Sequence, residues 1–310
     1  GTTMITSGFT YIAFLVFLAG MLLFLEKKTK AKLFQFIPPL VWIYVLNMVF
    51  CTLGLYNSEA CSTTYSALKN NILYAMIFVM LLRCDFKKLS KLGGRMAAIF
   101  LGCSLTLAVG FLVGYPIFKG MLGSDTWGAV AALYASWVGG SANMAAMQAA
   151  LPVDAGAYSC ALALDTVCYS VWIALLLLAV RYAGRWNSAV KADTSKLQAI
   201  AENTNAELTK EKKSADSSDW IFLIGLSLMV SALSQMVGQS CSAGLAAVGL
   251  GMFDKGTLTT VFVSILGLIC AGTSLGRLPA VEELSNVYLY TVVSLLASTA
   301  SVVDLLSAPM

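Results

Sequence analysis

A pair of glycines followed directly by small polar residues interrupts an apolar segment, 136-SWVGGSANMAAMQAAL-151. Gly139 and Gly140 let the backbone turn and approach a ligand closely. Such a turn frees backbone N–H groups, which attract anions at a helix N-terminus, and carbonyl groups, which bind Na⁺. The small polar side chains around the glycines lie at the same place. The predicted substrate-binding residues of this segment are Ser136, Gly139, Gly140, Ser141 and Asn143.

Asp165 is the one acidic residue placed deep inside an apolar segment, 161-ALALDTVCYSVW-172. A charged side chain at the bilayer centre costs roughly 2.5–3.5 kcal/mol on insertion scales. A residue of this kind usually pairs, binds an ion or takes a proton. We therefore predict Asp165, with the adjacent Thr166, as the ion-coupling site for Na⁺ or H⁺, and no other metal or cofactor. The alternative is a protonated Asp165 that hydrogen-bonds to a neighbouring helix.

A third polar group, 69-KNN-71, lies inside the predicted third span. Lys69 is expected to extend its ammonium group to the membrane interface. Asn70 and Asn71 lie deeper, so we predict that they face the substrate pathway.

The composition requires that these residues sit in an integral membrane protein. Of the 310 residues, 58% are hydrophobic and only 12% are charged, whereas soluble domains carry about 25% charged residues. The chain has no histidine, which excludes histidine-ligated haem and the usual zinc proteases. Glycine motifs of nucleotide-binding proteins are absent as well. We expect an all-α membrane protein that is not an enzyme and does not bind nucleic acid.

Nine apolar segments are long enough to be membrane-crossing candidates, since about 20 residues span a bilayer as a helix. They are 8–25, 33–56, 63–83, 96–118, 127–151, 155–182, 219–240, 256–276 and 281–303.

The 127–151 segment determines the predicted topology. If it crossed the membrane fully, the 20 Lys and Arg residues would divide evenly between the two sides. If it enters and leaves on the same side as a re-entrant hairpin, 17 lie on the linker side and only Lys69, Lys119 and Lys255 lie opposite. The positive-inside rule favours the hairpin. It places the N-terminus outside and the linker in the cytoplasm.

This topology predicts two inverted repeats, an arrangement typical of secondary transporters. Residues 1–183 form the first repeat, with five transmembrane helices and the re-entrant hairpin. Residues 184–218 form a polar cytoplasmic linker, in which 195–212 is a candidate surface helix. Residues 219–310 form a partial second repeat with three transmembrane helices. The second repeat is expected to be incomplete in this chain, without its own glycine-rich hairpin.

The segments S-W-V-G-G-S-A-N-M-A-A-M and A-L-A-L-D-T-V resemble an uncharacterised multi-pass membrane family, the domain of unknown function 819. Weaker resemblance extends through E-E-L-S-N-V-Y-L-Y and A-S-T-A-S-V-V-D-L. That family is similar to glutamate–sodium symporters and 2-hydroxycarboxylate transporters, which have two inverted repeats, each with a glycine-rich re-entrant loop. The resemblance implies that Gly139, Gly140, Ser141 and Asn143 form the first hairpin tip.

We therefore expect an ion-coupled secondary transporter of the bacterial inner membrane. Its substrate would be a small polar or anionic metabolite: a carboxylate, an amino acid or a short peptide. Transport would proceed by alternating access, with homodimerisation through a scaffold embedded in the lipid bilayer. The alternative is a non-transporting membrane scaffold or sensor in which the glycine-rich hairpin only packs.

Overall fold

The computed structural model describes residues 5–29, 38–56, 58–84, 93–122, 126–151, 153–180, 182–190, 215–247 and 255–302. Within these ranges all the regular structure is helical, as the composition predicted. The α-helices in chain order are α1 (Gly8–Thr29), α2 (Pro39–Thr52), α3 (Glu59–Leu82), α4 (Gly93–Phe118), α5 (Trp127–Gly139), α6 (Ser141–Ala150), α7 (Ala155–Val180), α8 (Ala183–Ala189), α9 (Ser217–Ala247), α10 (Lys255–Ala271) and α11 (Val281–Ala297).

Four of these helices, α1, α3, α4 and α9, are long and apolar enough to cross a membrane. In α4, no residue between Met96 and Phe118 is buried inside the protein. An apolar helix with this exposure is stable in lipid and not in water, since lipid covers its side chains without cost. The structure thus confirms the prediction of an all-helical, membrane-type protein.

Local sequence signals explain where α2 and α3 begin and end. Pro39 occupies the first turn of α2, where its missing N–H needs no partner. Gly54, with φ 79°, turns the chain after α2. The hydroxyl of Ser58 then accepts a hydrogen bond from the N–H of Cys61 at 3.2 Å and caps α3. The predicted second span, 33–56, was therefore too long at its C-terminal end, because residues 53–56 form this turn.

The centre of the fold is an antiparallel pair of helices, α3 and α11. Arg83, which follows α3, lies 3.7 Å from the Glu282 carboxylate at the start of α11. At the opposite end, the Tyr65 side chain near the start of α3 hydrogen-bonds to Thr299, just beyond α11. Both helices bury a long stripe, including Leu73, Phe78 and Leu296.

Four other helices pack around this pair in a crossed arrangement. Helices α1 and α2 from the first half pack against each other and against α11 from the second half. Helices α9 and α10 from the second half pack against each other and against α3 from the first half. Each half therefore completes its core with the third helix of the other half.

The contact between α10 and α3 depends on Gly267. A Cβ atom at this position would lie 2.8 Å from the Cβ of Leu81 and 3.4 Å from the carbonyl oxygen of Phe78. We expect Gly267→Ala to lower the free energy of unfolding by about 1–3 kcal/mol through overpacking. The measurement is the thermal midpoint of the purified protein in detergent. The control is Gly225→Ala on α9, where a Cβ meets open space, and an equal response of the two variants would contradict this packing.

The predicted linker, 184–218, is described only at its two ends. Residues 183–189 form α8, which has no buried residues, and α9 begins at Ser217. The candidate surface helix, 195–212, lies outside the described residues.

Candidate functional site

The glycine break joins two short helices that pack against each other, α5 and α6. Gly140 alone separates them, with φ 88° and ψ 176°, a backbone conformation that is essentially restricted to glycine. Its N–H donates to the carbonyl of Ser136 at 2.6 Å, and its carbonyl accepts from the N–H of Asn143 at 2.9 Å. The break between the two helices is therefore hydrogen-bonded on both sides.

This helix pair lies between the two halves of the fold. Helix α5 packs against α4 and α7, and α6 packs against α3, α10 and α11. Ala132 of α5 and Met144 and Ala145 of α6 are fully buried in one shared core cluster. At 13 and 10 residues, the helices are about 20 and 15 Å long. Each is therefore too short to span a bilayer by itself.

The tip of the pair presents backbone groups at its surface. Gly139, Gly140 and Ser141 are exposed, and no side chain caps the start of α6. The side chain of Asn143 lies directly over Gly139, so that a Cβ at position 139 would overlap its amide group. The tip thus combines an uncapped helix N-terminus, which favours an anionic group, with one amide side chain.

One turn before the break, the structure brings together two predicted site residues. The Ser136 hydroxyl donates a hydrogen bond to Oδ2 of Asp165 at 2.8 Å, and the Trp137 side chain is a second hydrogen-bonding partner of this carboxylate. Ser136 is buried, with 8% of its surface exposed, and Asp165 is half-buried. Because Ser136 precedes Gly140 by four residues, the carboxylate lies about 6 Å along the helix from the turn.

The hydroxyl of Thr166, the other predicted coupling residue, donates to the carbonyl of Leu162 in its own helix at 2.9 Å. This is a common arrangement for threonine inside a helix.

The predicted pathway residues Asn70 and Asn71 lie on α3, and Asn71 hydrogen-bonds to α9 and not to the glycine break. Nε2 of Gln235 donates to Oδ1 of Asn71 at 2.8 Å, and the Ser231 hydroxyl donates to the Asn71 carbonyl at 2.8 Å. Asn70 is exposed. Among the described residues, no hydrogen bond connects either asparagine to residues 136–143.

Two polar clusters were not predicted from the sequence. In the first, Nε2 of Gln148 on α6 lies 3.4 Å from the Tyr44 hydroxyl on α2, which also hydrogen-bonds to Ser159 on α7. The second is the α9 row that contains Ser231 and Gln235. Polar residues at four-residue spacing in 224-IGLSLMVSALSQMVGQ-239 gave a signal for the row. The first cluster gave no such signal in the sequence, because each of its three residues is a single polar residue on a separate helix.

No group of three cysteine or acidic side chains that could hold a metal ion occurs in the part of the chain that the structure describes. A cation at Asp165 would share that carboxylate with neutral oxygen ligands, such as the Ser136 hydroxyl. Carboxylate and neutral oxygen ligands suit hard cations.

Comparisons with curated proteins and with solved structures found no match to this chain. A family model does match, and it covers residues 13–310. The matched region includes α5 and α6, which flank the glycine break, and Asp165. The chain therefore belongs to the family described as "Protein of unknown function (DUF819)".

Proposed function

We propose that this protein is an ion-coupled secondary transporter for a small polar or anionic metabolite, and that Asp165 binds the coupling ion, Na⁺ or H⁺. One observation carries the proposal: the Ser136–Asp165 hydrogen bond places a carboxylate one turn from the glycine break between α5 and α6. An ionisable residue beside an interrupted helix is the usual composition of a coupled-transport site.

The crossed packing of the two halves supports the inverted-repeat part of the proposal. In an inverted repeat, equivalent helices run in opposite directions through the membrane. Helices α3 and α11, the third of each half, are antiparallel, and each receives the first two helices of the other half. This exchange is what a two-fold axis in the membrane plane would produce.

In the proposed membrane topology, α5 and α6 form the re-entrant hairpin. Their lengths of 13 and 10 residues suit half a bilayer each. The N-terminus lies outside, the 184–218 linker is cytoplasmic, and the bacterial inner membrane is the location. The exposed helix α4, which contacts α5, belongs to a lipid-facing surface, and the transporter works as a homodimer.

Alternating access would move the hairpin tip relative to the α3–α11 core. An anionic substrate group would bind the free N–H groups at the start of α6, with the Asn143 amide as a second polar contact. Gly139, Gly140 and Ser141 allow the backbone to approach that group closely. Ion binding at Asp165 would bias the position of α5 through Ser136.

The test is charge movement in proteoliposomes adsorbed on a solid-supported electrode, with carboxylates, amino acids and short peptides as candidate substrates. We expect a substrate-induced current that needs a Na⁺ or H⁺ gradient and is lost in Asp165→Asn. The matched control is Asp154→Asn, since Asp154 is exposed and caps the same helix through the N–H of Ala157 at 2.8 Å. Absence of flux for every candidate would favour the scaffold or sensor function.

A further inference from the structure

A cavity of about 230 Å³ lies among α1, α2, α3 and the end of α11, at the end of the fold where α3 begins. The rings of Tyr11, Tyr56 and Tyr65 line it, together with Cys51 and Ser62. Its volume suits a metabolite smaller than a drug-sized ligand. The cavity is separate from the hairpin tip, because the tip residues 136–143 are not part of its lining.

Hydrogen bonds fix the three tyrosine rings in place. The Tyr11 hydroxyl bonds to Ser298, the Tyr56 hydroxyl donates to Oδ1 of Asn47 at 2.8 Å, and the Tyr65 side chain bonds to Thr299. Tyr11 and Tyr56 also meet edge to face, with ring centroids 5.5 Å apart. A wall of this kind is preorganised, so a ligand loses little free energy in ordering it.

The side chains that line the cavity carry no formal charge, and a cation, Lys69, lies beside one of them, Tyr65. On α3, Ser62, Tyr65 and Lys69 follow a spacing of three and four residues, which places them on one face of the helix. The Lys69 ammonium nitrogen lies 5.9 Å from the centroid of the Tyr65 ring. Lys69 therefore extends the cavity-lining face by one turn.

Lys69 is also a charged residue in the interior of a long apolar helix. It lies ten residues beyond Glu59, where α3 begins, which is about 15 Å along the helix. The predicted span, which started at residue 63, placed Lys69 closer to the start of its helix. Its side chain is half-buried, and no carboxylate among the described residues forms an ion pair with it. An ammonium group in a membrane-type interior is costly unless an anion accompanies it.

We infer that this cavity binds a small organic carboxylate, whose negative group pairs with Lys69 and whose body packs against the tyrosine rings. The Ser62 hydroxyl, which has no partner among the described residues, is a hydrogen-bond donor for the bound molecule. The Lys69 charge opposes an organic cation, although the tyrosine rings alone would accept one. The site does not depend on the proposed transport function, since the protein can bind a carboxylate here whether or not it moves one.

The test uses Cys51, a thiol in the cavity lining, as a native reporter. The purified protein is treated with two methanethiosulfonate reagents, one bearing a sulfonate and one a trimethylammonium group, and Cys51 modification is followed by peptide mass spectrometry. Two unit charges interact by roughly 1 kcal/mol at a separation of about 16 Å, and more strongly at shorter range, for an effective dielectric constant of 20. We therefore compare the ratio of the two Cys51 reaction rates, sulfonate reagent over trimethylammonium reagent. We expect this ratio to be at least about fivefold higher in the wild type than in Lys69→Met.

Binding itself is measured by protection. Acetate, lactate and glutamate are each tested for their ability to slow the reaction of Cys51 with the neutral reagent N-ethylmaleimide, against chloride at the same ionic strength. We expect at least one carboxylate to protect Cys51 in the wild type and in Lys69→Arg, which keeps the charge, and none to protect it in Lys69→Met.

Lys255→Met is the matched control. Nζ of Lys255 on α10 donates a hydrogen bond to Oε1 of Gln239 on α9 at 3.4 Å, and neither helix lines the cavity. This variant should leave both readouts unchanged. A reagent preference that is the same in wild type and Lys69→Met would overturn the inference. Protection by chloride alone, or protection that persists in Lys69→Met, would overturn it as well. Loss of transport in an Asp165 variant has no bearing on these readouts, so the two proposals fail separately.

Discussion

Replacement of Asp165 by asparagine is expected to abolish the Na⁺-specific stabilisation of the protein. A ligand that binds only the folded state stabilises it by mass action, and Na⁺ at about ten times its dissociation constant contributes about 1.4 kcal/mol. Asparagine keeps the shape of the side chain and still accepts the hydrogen bond from Ser136, which spans 2.8 Å in the wild type. The substitution therefore removes the charge while leaving the local packing in place.

The measurement is the thermal midpoint in NaCl and in choline chloride at equal ionic strength, for the wild type, Asp165→Asn and Asp154→Asn. We expect the midpoint to be higher in NaCl for the wild type and for Asp154→Asn, and equal in the two salts for Asp165→Asn. A wild-type protein that does not respond to Na⁺ would remove sodium coupling and leave protons as the coupling ion. A response that persists in Asp165→Asn would place the cation elsewhere.

Ser136→Ala separates the two parts of the site, since it removes the hydroxyl and keeps the carboxylate. We expect this variant to retain a Na⁺ response that requires higher Na⁺ concentrations than in the wild type, because one neutral ligand is lost. The readout is the Na⁺ concentration that gives half of the midpoint shift. An unchanged concentration would show that the Ser136 hydroxyl only orients Asp165 and does not contact the ion.

Gly140→Ala is expected to produce the largest structural effect at the hairpin. With φ 88° and ψ 176°, a non-glycine residue at this position carries a strain of about 1–3 kcal/mol. The variant must either accept that strain or alter the turn, which would displace the start of α6. Both routes change the tip, so we expect a lower thermal midpoint together with loss of the substrate-induced current.

The matched control is Gly102→Ala, on the exposed helix α4, where a Cβ meets nothing within 4 Å. Alanine is favoured over glycine in a helix by about 1 kcal/mol, so this variant should be as stable as the wild type or more so. Gly139→Ala tests the neighbouring residue. The atoms nearest to its Cβ belong to the Asn143 side chain, so we expect a change in substrate binding that is larger than the change in stability. A Gly140→Ala protein with unaltered stability and current would contradict the strained turn.

Much of the fold was predictable because long apolar runs in the sequence indicate membrane helices. A run such as 8–25 must be helical in lipid, where every backbone group needs an internal partner, and the structure places α1 there. The break at Gly139–Gly140 was also predictable from a local signal, because two glycines followed by small polar residues interrupt a helix. Helix ends were less accurate. The start of α3 depends on the Ser58 cap, and the end of α2 depends on Gly54, which are local signals inside an otherwise apolar sequence.

The site was predictable only in part. The sequence indicated that Ser136 and Asp165 were unusual, because polar residues in apolar spans are costly, and the structure joins them. It did not indicate that Asn71 would bond to α9, since the partner of a polar residue is set by the helix that faces it. Nor did it predict that Tyr11, Tyr56 and Tyr65, from separate parts of the chain, would line one cavity.

The sequence by itself determined that this protein is a helical membrane protein with an interrupted helix pair and one deeply placed carboxylate. These properties follow from the hydropathy, the glycines and the position of Asp165 along its own segment, which are local in the chain. The tertiary structure alone decided that α3 and α11 pair antiparallel, that each half completes the core of the other, and that Lys69 lies beside a tyrosine-lined cavity. Those contacts join residues as far as 287 positions apart, as in the hydrogen bond between Tyr11 and Ser298. Helix packing in an apolar environment is governed by the fit of side chains across the interface, which no single segment of the sequence contains.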